Sequence, residues 1–232
     1  MSGGYGDDNI VARVTCAARS VLSGSARYER DSVPFNDTNY PFAVLAALLR
    51  AASLNLNRLE VIDFGGSLGS TYYQCRAFLN SVSAIDWRIV EQPKFVDVGR
   101  REFSNEELTF VRDLNELPPI SSGAIVLACS VLQYMEVPSA TLADLGALPA
   151  RHLVIDRTPI SEDPDDRLCV QHVPKSIYEA SYPCWILSHS RLLSEVSKTW
   201  RVISDYACVG NHAHTDDGLE FEYRGLILEK YT

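Results

Sequence analysis

Residues 60–70, Glu-Val-Ile-Asp-Phe-Gly-Gly-Ser-Leu-Gly-Ser, decide the fold of this chain. The apolar residues up to Phe64 predict a buried strand, the glycines predict a tight turn, and Ser70 begins a segment with helical spacing. Glycine lets the backbone turn sharply and approach a ligand without a Cβ, while the first turn of the helix presents unpaired N–H groups. This order is typical of a ligand-binding edge of a parallel sheet, although a merely tight connection is the alternative.

Short apolar runs alternate with helical segments from about residue 55 onward. The predicted strands are 59–64, 87–90, 108–111, 124–128, 152–155, 200–207 and 223–230. The predicted helices between the first five strands are 70–81, 94–102 and 139–148. Strands that alternate with helices indicate an α/β fold, with a mostly parallel sheet and helices on both faces. Only the loop 209–222 separates the last two strands, so we expect the final strand to be antiparallel.

The remaining segments flank this core. Two amphipathic helices, 9–22 and 41–52, predict an N-terminal helical cap over residues 1–54, with the core in residues 55–232. Four prolines in residues 158–193 predict an ordered insertion near a site. The segment Glu29-Arg30-Asp31 reads as a charged loop between the cap helices, which supplies substrate contacts if it folds over the sheet edge and is surface otherwise.

Composition excludes several classes of protein. The 232 residues carry 21 Lys and Arg against 30 Asp and Glu, a net charge of −9, without a basic cluster that would favour nucleic acid. No apolar run reaches the roughly 18 residues of a membrane span, and the acidic start does not resemble a signal peptide. The six cysteines show no metal-type spacing and are expected to be reduced. We therefore predict a cytoplasmic protein with a small-molecule or glycan partner, whose oligomeric state the sequence leaves open.

Polar residues follow several of the predicted strands. Glu91 ends the second strand, where its carboxylate could accept hydrogen bonds from a ribose diol. Asp113 follows the third strand and is suited to an adenine amino group, or equally to capping a helix. Ser130 and Gln133 follow the fourth strand and could line the floor of a pocket.

Candidates for a general base lie near the same edge. Asp156 ends the fifth predicted strand, and His172 and His189 lie in the insertion. His212 and His214 share a loop with two aspartates, but no further ligand cluster supports a metal site, so we expect an exposed loop.

The motifs VIDFGGSLGS, IVEQPKFV, LACSVLQYM and VIDRTP, in this order, resemble the strand-end motifs of class I S-adenosylmethionine-dependent methyltransferases. Six stretches are also similar to a family of short bacterial proteins designated methyltransferases, whose genes are often associated with surface-polysaccharide biosynthesis. These stretches are RYERDS (27–32), DFGGSLG (63–69), VEQP (90–93), SVLQY (130–134), DRTP (156–159) and SYPCW (181–185). The resemblance covers nearly the whole chain.

The resemblance implies a Rossmann-like, seven-stranded sheet with an antiparallel last strand and a bound S-adenosylmethionine. The turn formed by Asp63, Gly65, Gly66, Ser67 and Gly69 would hold the methionine part of the cofactor. Glu91 would hold the ribose, Asp113 would lie near adenine, and Ser130 would line the cofactor site. Ser67 departs from the usual Gly-x-Gly-x-Gly pattern of the class.

The acceptor side is less determined by the sequence. Tyr28, Arg157 and Tyr182 are the predicted substrate-binding residues, and Trp185 is expected in the core. Asp156 and His172 are the predicted catalytic residues. No metal is predicted.

The leading hypothesis is a methyltransferase that acts on oxygen of a small molecule or glycan precursor. Two alternatives stay open. A nicotinamide-dependent oxidoreductase would use the same glycine turn and strand-end acid, although no Tyr-x-x-x-Lys pair occurs. A catalytically degenerate binding module would keep the fold without turnover.

Overall fold

The computed structural model describes residues 8–37, 39–173 and 180–231, with side chains omitted for 209–211. The helices are α1 (Asp8–Leu22), α2 (Phe42–Leu54), α3 (Ser70–Cys75), α4 (Pro93–Glu102), α5 (Pro138–Ala147) and α6 (His189–Val196). The strands are β1 (Tyr28–Arg30), β2 (Val33–Phe35), β3 (Arg58–Phe64), β4 (Ala84–Val90), β5 (Leu108–Val111), β6 (Ile125–Cys129), β7 (His152–Ser161), β8 (Arg167–Val173), β9 (Ala180–Ser188), β10 (Trp200–His214) and β11 (Glu220–Lys230).

The main sheet has the order β10-β11-β7-β6-β3-β4-β5. Strands β7, β6, β3, β4 and β5 pair in parallel, whereas β11 is antiparallel to both β7 and β10. The predicted Rossmann-like core of seven strands with a reversed last strand is therefore confirmed. The insertion adds two strands, because β9 pairs with β7 and β8 pairs with β9, which brings the sheet to nine.

Alternate residues of the central strands enter two hydrophobic cores on opposite faces. Val61 belongs to the core that contains the buried residues of α1, α2, α3 and α4, and its neighbour Ile62 belongs to the core that contains those of α5 and α6. Both side chains are 0% exposed. This period of two, with apolar residues on both faces, is what a doubly covered parallel sheet requires.

The N-terminal helices share the sheet's own core. Ile10 and Val14 of α1 and Leu45 and Leu48 of α2 are buried in the same cluster as Val61. The predicted boundary at residue 54 therefore separates elements along the chain and does not separate two cores in space. Between these helices, β1 and β2 form an antiparallel hairpin where we expected a charged loop.

The fifth predicted strand and the insertion differ from expectation. We expected that strand to end at Ile155, but β7 continues to Ser161, so the insertion begins within it. The insertion was expected to be ordered but, because of its prolines, a poor template for one regular element, and it forms the β8–β9 hairpin and α6. Pro183 of β9 lies within the β8–β9 ladder opposite Val170. Strand β9 pairs with β7 at residues 187 and 188, so no strand of the described residues pairs with the other side of Pro183. No helix of the described part of the chain is long and apolar enough to cross a membrane.

Candidate functional site

A cavity of about 790 Å³ opens at the carboxyl ends of β3, β4 and β6. This is the edge where parallel sheets of this type bind ligands. The lining residues that belong to the predicted site are Asp63, Gly65, Gly66, Ser67, Glu91, Ser130, Gln133, Arg157 and Tyr182. The volume lies in the upper part of the range of about 300–1,000 Å³ typical of small-molecule pockets.

The glycine turn after β3 is held by the sheet. The amide of Gly65 donates to the carbonyl oxygen of Val90 at 2.9 Å, so the turn is tied to the end of β4. Gly65 has a φ of +72°, and a Cβ at this position would lie 2.4 Å from a methyl carbon of Val131. Only glycine meets both conditions without displacing Val131.

Glu91 and the glycine turn converge. The amide of Ser67 donates to Oε2 of Glu91 at 3.3 Å, and the amide of Gln92 donates to Oε1 at 2.7 Å. Burial raises the pKa of Glu91, while these two donors lower it. The carboxylate is thereby fixed at the mouth of the cavity, with further lone pairs able to accept ligand hydroxyls.

Six buried polar atoms of residues that line the cavity have no hydrogen-bond partner in the described structure. Three of them lie at or after the ends of β3 and β6: Oδ1 of Asp63, Oγ of Ser67 and Oε1 of Gln133. The other Asp63 oxygen accepts from the indole of Trp87 at 3.0 Å, and burial raises the pKa of Asp63 to about 7. Buried polar atoms are normally paired, so these three indicate a ligand-binding surface.

Two residues predicted to hold the cofactor do not line the cavity. Asp113 caps a short 3-10 helix instead, since its carboxylate accepts from the amide of Asn115 at 2.7 Å. This is the capping role that the sequence left open. Gly69 lies at the N-terminus of α3 with a φ of +99°, and it shapes the turn without facing the cavity.

A β-bulge in β7 determines the directions in which the side chains of Asp156 and Arg157 point. On β11, Arg224 pairs with Thr158 and Leu226 pairs with Ile155, so two residues of β7 face the single Gly225. Such bulges redirect side chains. Arg157 lines the cavity, whereas Asp156 does not.

The carboxylate of Asp156 is engaged on the far side of that bulge. Its Oδ1 accepts from the hydroxyl of Tyr206 at 2.8 Å, and the residue is 5% exposed. The Tyr206 ring fills the space above Gly225, where a Cβ would lie 2.3 Å from the ring. This placement argues against Asp156 as a base in the cavity, because a base must reach the proton that it removes.

The remaining base candidates also lie outside the cavity. His172 is exposed on β8 and pairs in register with Ser181 of β9. His189, at the start of α6, contacts Oδ2 of Asp205 at 2.7 Å. Within the described residues, no cluster of three or more His, Cys, Asp or Glu side chains could hold a metal ion.

The β1–β2 hairpin contributes an acid, Glu29, for which the sequence left open a substrate contact or a surface position. Glu29 lines the cavity, is 5% exposed, and accepts a hydrogen bond from the Ser70 hydroxyl. Burial, followed by the neighbouring charge of Asp31, raises the pKa of Glu29 to about 7. Tyr28 points elsewhere: it is 4% exposed, stacks on Phe35 with ring centroids 4.9 Å apart, and does not line the cavity.

Aromatic residues of the insertion line the opposite side. The Tyr182 ring contacts the ring of Tyr134 edge-on at 5.4 Å, and the Tyr134 hydroxyl donates to Oε1 of Gln171 at 3.0 Å. Trp185 packs against the core as expected, and it also lines the cavity and donates from its indole to the carbonyl oxygen of Met135 at 3.1 Å. These rings could pack against an apolar or saccharide face of a ligand.

Backbone strain is concentrated at the cavity. Among the described residues, seven that are not glycine have a positive φ, and five of these line the cavity. The five are Asp31, Ser32, Ser67, Ser130 and Arg157. Such conformations cost roughly 1–3 kcal/mol each and cluster at functional sites. The strain therefore supports the same location independently of the sequence motifs.

No protein-family model and no curated protein sequence matches the chain. Among solved structures, the N-terminal domain of EvdMO1 in the presence of SAH and D-fucose is similar, with 12% identity, a TM-score of 0.55, and coverage of 99% of this chain and 100% of that one. The glycopeptide N-methyltransferase MtfA complexed with (S)-adenosyl-L-methionine has 9% identity and a TM-score of 0.52, with coverage of 80% and 94%.

A third similar structure is magnesium protoporphyrin IX methyltransferase (ChlM) from Synechocystis PCC 6803 with bound SAH. It has 17% identity and a TM-score of 0.50, and the coverage is 82% of this chain and 81% of that one. At such low identities the likeness is one of architecture. The chain has the Rossmann-like fold that these structures share.

Proposed function

We propose that the chain is an S-adenosylmethionine-dependent methyltransferase that methylates an oxygen atom of a small molecule or glycan precursor. The observation that carries this proposal is the hydrogen bond between the Ser67 amide and Glu91, because it joins the glycine turn and the strand-end acid at one cavity. The shared fold and the sequence motifs support the same cofactor. In line with the resemblance, the acceptor would come from surface-polysaccharide biosynthesis. The proposed location is the cytoplasm, as the cysteine pattern suggests.

The residues of the cavity fit this cofactor. The Glu91 carboxylate would accept hydrogen bonds from the ribose hydroxyls, beside its bonds from Ser67 and Gln92. The unpaired oxygens of Asp63 and Gln133 would accept from the ammonium group of the methionine part. When bound, S-adenosylmethionine supplies an electrophilic methyl group, so the chain has to position an acceptor in line and exclude water.

For the general base we propose Glu29. It lies in the cavity, whereas the carboxylate of Asp156 is bonded to Tyr206 and His172 is exposed outside. A base works best when its pKa lies near the operating pH, and burial brings the pKa of Glu29 to about 7. Glu29 would take the proton from an acceptor hydroxyl as the oxygen becomes methylated.

The acceptor would lie against the insertion. The rings of Tyr134, Tyr182 and Trp185 face the cavity and offer the flat apolar surface on which saccharide rings pack. The EvdMO1 domain, whose structure was determined in the presence of D-fucose, has the same fold. Both observations favour a glycan precursor as the acceptor.

Calorimetry with S-adenosylmethionine, SAH and NADH tests the cofactor. We expect saturable binding of the first two and none of NADH, because the chain has no Tyr-x-x-x-Lys pair and its antiparallel last strand matches the methyltransferase sheet. Binding of NADH alone would favour an oxidoreductase. If neither SAH nor S-adenosylmethionine binds the folded protein, the proposed function is wrong.

Turnover separates an enzyme from a degenerate binding module. SAH release should depend on an acceptor when the protein is screened against a panel of hydroxylated sugars and small alcohols. Once an acceptor is found, Glu29→Gln should lower kcat by roughly 10²–10⁴-fold, as expected for loss of a general base, without weakening SAH. The exposed His172→Gln is the matched control and should keep kcat. A kcat that falls in His172→Gln and not in Glu29→Gln would contradict the assignment.

A further inference from the structure

The bulge in β7 directs an arginine into the cavity. Arg157 has a φ of +49°, a left-handed conformation that is uncommon for a long side chain. It faces Gly225 across the strand pair, and Tyr206 packed on that glycine supports the bulge. The fold therefore tolerates local strain in order to aim one guanidinium at the site.

That guanidinium lacks a good partner. The Nε of Arg157 is buried and makes no hydrogen bond among the described residues, and its nearest carboxylate oxygen, Oδ2 of Asp156, is 3.7 Å away. Asp156 already accepts from Tyr206. Elsewhere in the sheet, Arg88 shows the usual arrangement, with Nη1 2.9 Å from Oε1 of Glu60. A largely buried cation without such a partner is costly, so Arg157 is poised for an anion.

A second arginine lines the same cavity in a similar state. The buried Nε of Arg30, on β1, makes no hydrogen bond among the described residues, and its guanidinium lies 5.6 Å from the centroid of the Tyr28 ring. The hydroxyl of Ser32, two residues later, is also buried and unpaired. Two guanidinium groups and a hydroxyl provide the donors that a carboxylate or phosphate needs.

The acidic residues nearby do not form the ion pairs that an anionic ligand would form with these arginines. Glu29 and Asp31 line the cavity with these arginines, and Asp156 lies beneath it. Glu29 accepts from Ser70, and within the described residues neither Glu29 nor Asp31 forms an ion pair with Arg30 or Arg157. The cationic groups therefore keep donor capacity for a ligand.

The position of Arg157 in the sheet favours the acceptor over the cofactor. The proposed nucleoside site spans the ends of β3 and β4, where Ser67 and Glu91 meet. Arg157 belongs to β7, which lies on the other side of β3 with β6 between them. Two strand spacings of ~4.8 Å separate β7 from β3, so the backbone of Arg157 lies roughly 10 Å from the strand that carries the glycine turn.

We propose that the acceptor carries an anionic group, a carboxylate or a phosphate, which binds between Arg157 and Arg30. This inference rests on the proposed function, because it assigns the space beyond the cofactor to the acceptor. The anion would orient the acceptor so that a neighbouring hydroxyl faces Glu29. Uronic acids and sugar phosphates have this combination of groups.

The test uses full-length protein saturated with SAH and three probes: glucose, glucuronate and glucose 6-phosphate. Calorimetry should show that at least one of the two anions binds more tightly than glucose. Arg157→Met should lower that affinity roughly 10- to 100-fold, since hydrogen bonds to charged groups contribute about 1.5–3 kcal/mol. Arg30→Gln is the second variant and should act in the same direction.

Arg112→Met is the matched control. Arg112 also lines the cavity, but its Nη2 is already 2.8 Å from Oδ1 of Asp97, so its loss should not change anion affinity. The proposal is overturned if neither anion binds the wild-type protein more tightly than glucose. The proposal is also overturned if neither Arg157→Met nor Arg30→Gln lowers the affinity for the anion. Circular dichroism must first confirm that each variant is folded.

A third result would assign the arginines to the cofactor. If Arg157→Met weakens SAH but not 5′-methylthioadenosine, which lacks the amino-acid part, the anion is the cofactor's own carboxylate and the proposal is wrong. Failure of wild-type protein to bind SAH at all would instead remove the proposed function. The two failures are thus distinguishable.

Discussion

The amide of Ser67 donates a hydrogen bond to Oε2 of Glu91 across 3.3 Å, although the two residues are 24 positions apart. One belongs to the turn after β3 and the other follows β4, so the contact exists only because these strands are parallel neighbours. It fixes the carboxylate before any ligand arrives. A ligand that bridges both groups therefore meets a preorganised site, which lowers the entropy cost of binding.

The first prediction compares the two strand-end acids. Glu91→Ala should weaken SAH roughly 10- to 100-fold, because charge-assisted hydrogen bonds of about 1.5–3 kcal/mol are lost. Asp113→Ala should leave SAH affinity almost unchanged, since Asp113 caps a 3-10 helix outside the cavity. Titration calorimetry measures both. Equal weakening by the two variants would place adenine against Asp113 after all.

The second prediction concerns the glycine turn. Gly65→Ala should lower the free energy of unfolding by roughly 2–5 kcal/mol. The left-handed backbone conformation of an alanine costs about 1–2 kcal/mol. Overpacking of its Cβ against Val131 adds about 1–3 kcal/mol. Gly24→Ala is the control for strain alone: its φ is +76°, but no atom lies within 4 Å of the added Cβ. Urea unfolding should show a distinctly smaller loss for Gly24→Ala, and equal losses would contradict the packing argument.

The third prediction follows from the raised pKa of Glu29. In the unfolded chain this carboxyl titrates near the ordinary value of 4.5, and in the folded protein near 7. Between these values the folded state binds the extra proton, so the free energy of unfolding should fall as pH rises from about 4.5 to about 7.

Replacing the acid isolates its contribution. Glu29→Gln should flatten the fall, leaving the part due to Asp63, whose pKa is also raised to about 7 by burial. Urea unfolding at a series of pH values between 4.5 and 7.5 measures the slope. A slope identical to that of the wild type would mean that Glu29 is not protonated in the fold.

The fourth prediction concerns Glu229 at the other end of the sheet. Its carboxylate is 4% exposed and lies within 3.1 Å of guanidinium nitrogens of Arg50, Arg151 and Arg201. The bonds to these arginines, that to Arg201 foremost, lower the pKa of Glu229 to about 2. Because the folded pKa lies below the unfolded value, this stabilisation is present above about pH 4.5 and is lost as pH falls toward 2.

Glu229→Gln should therefore lower the free energy of unfolding at pH 7 by roughly 1–3 kcal/mol. Glu102→Gln is the matched control, because Glu102 also binds two arginines, Arg19 and Arg101, but on the surface. Its loss should cost less than about 1 kcal/mol, as is usual for exposed pairs. A larger loss for Glu102→Gln than for Glu229→Gln would contradict the role of burial.

Local signals in the sequence were sufficient to predict the sheet and half of the candidate site. The glycines of residues 65–69, the apolar strands and the acid at Glu91 act over a few residues, and the parallel order of the strands then brings them together. The lining positions of Asp63 and Ser130 follow from the same strand ends. How each of them acts stays a prediction.

Other parts depend on contacts distant in sequence. The bulge at Asp156 and Arg157 needs Gly225 opposite and Tyr206 packed on it, and nothing within residues 152–161 indicates it. The β8–β9 hairpin is held by pairing between residues 167–173 and 180–186, which are distant from each other in sequence, and Pro183 does not interrupt that ladder. The sequence could not decide the position of Glu29 for the same reason. A charged segment lines a cavity only when its hairpin folds over α3.

The attachment of the insertion has an evolutionary consequence. Within the described residues, the hairpin β8–β9 joins the sheet at two residue pairs, Ile160 with Leu187 and Ser161 with Ser188, and the Trp185 indole donates to the carbonyl oxygen of Met135. Residues that face the proposed acceptor can therefore diverge among descendants of this gene while the nucleotide half stays intact. Grafting alternative hairpins between positions 162 and 186 offers a practical route to new selectivity on an unchanged scaffold.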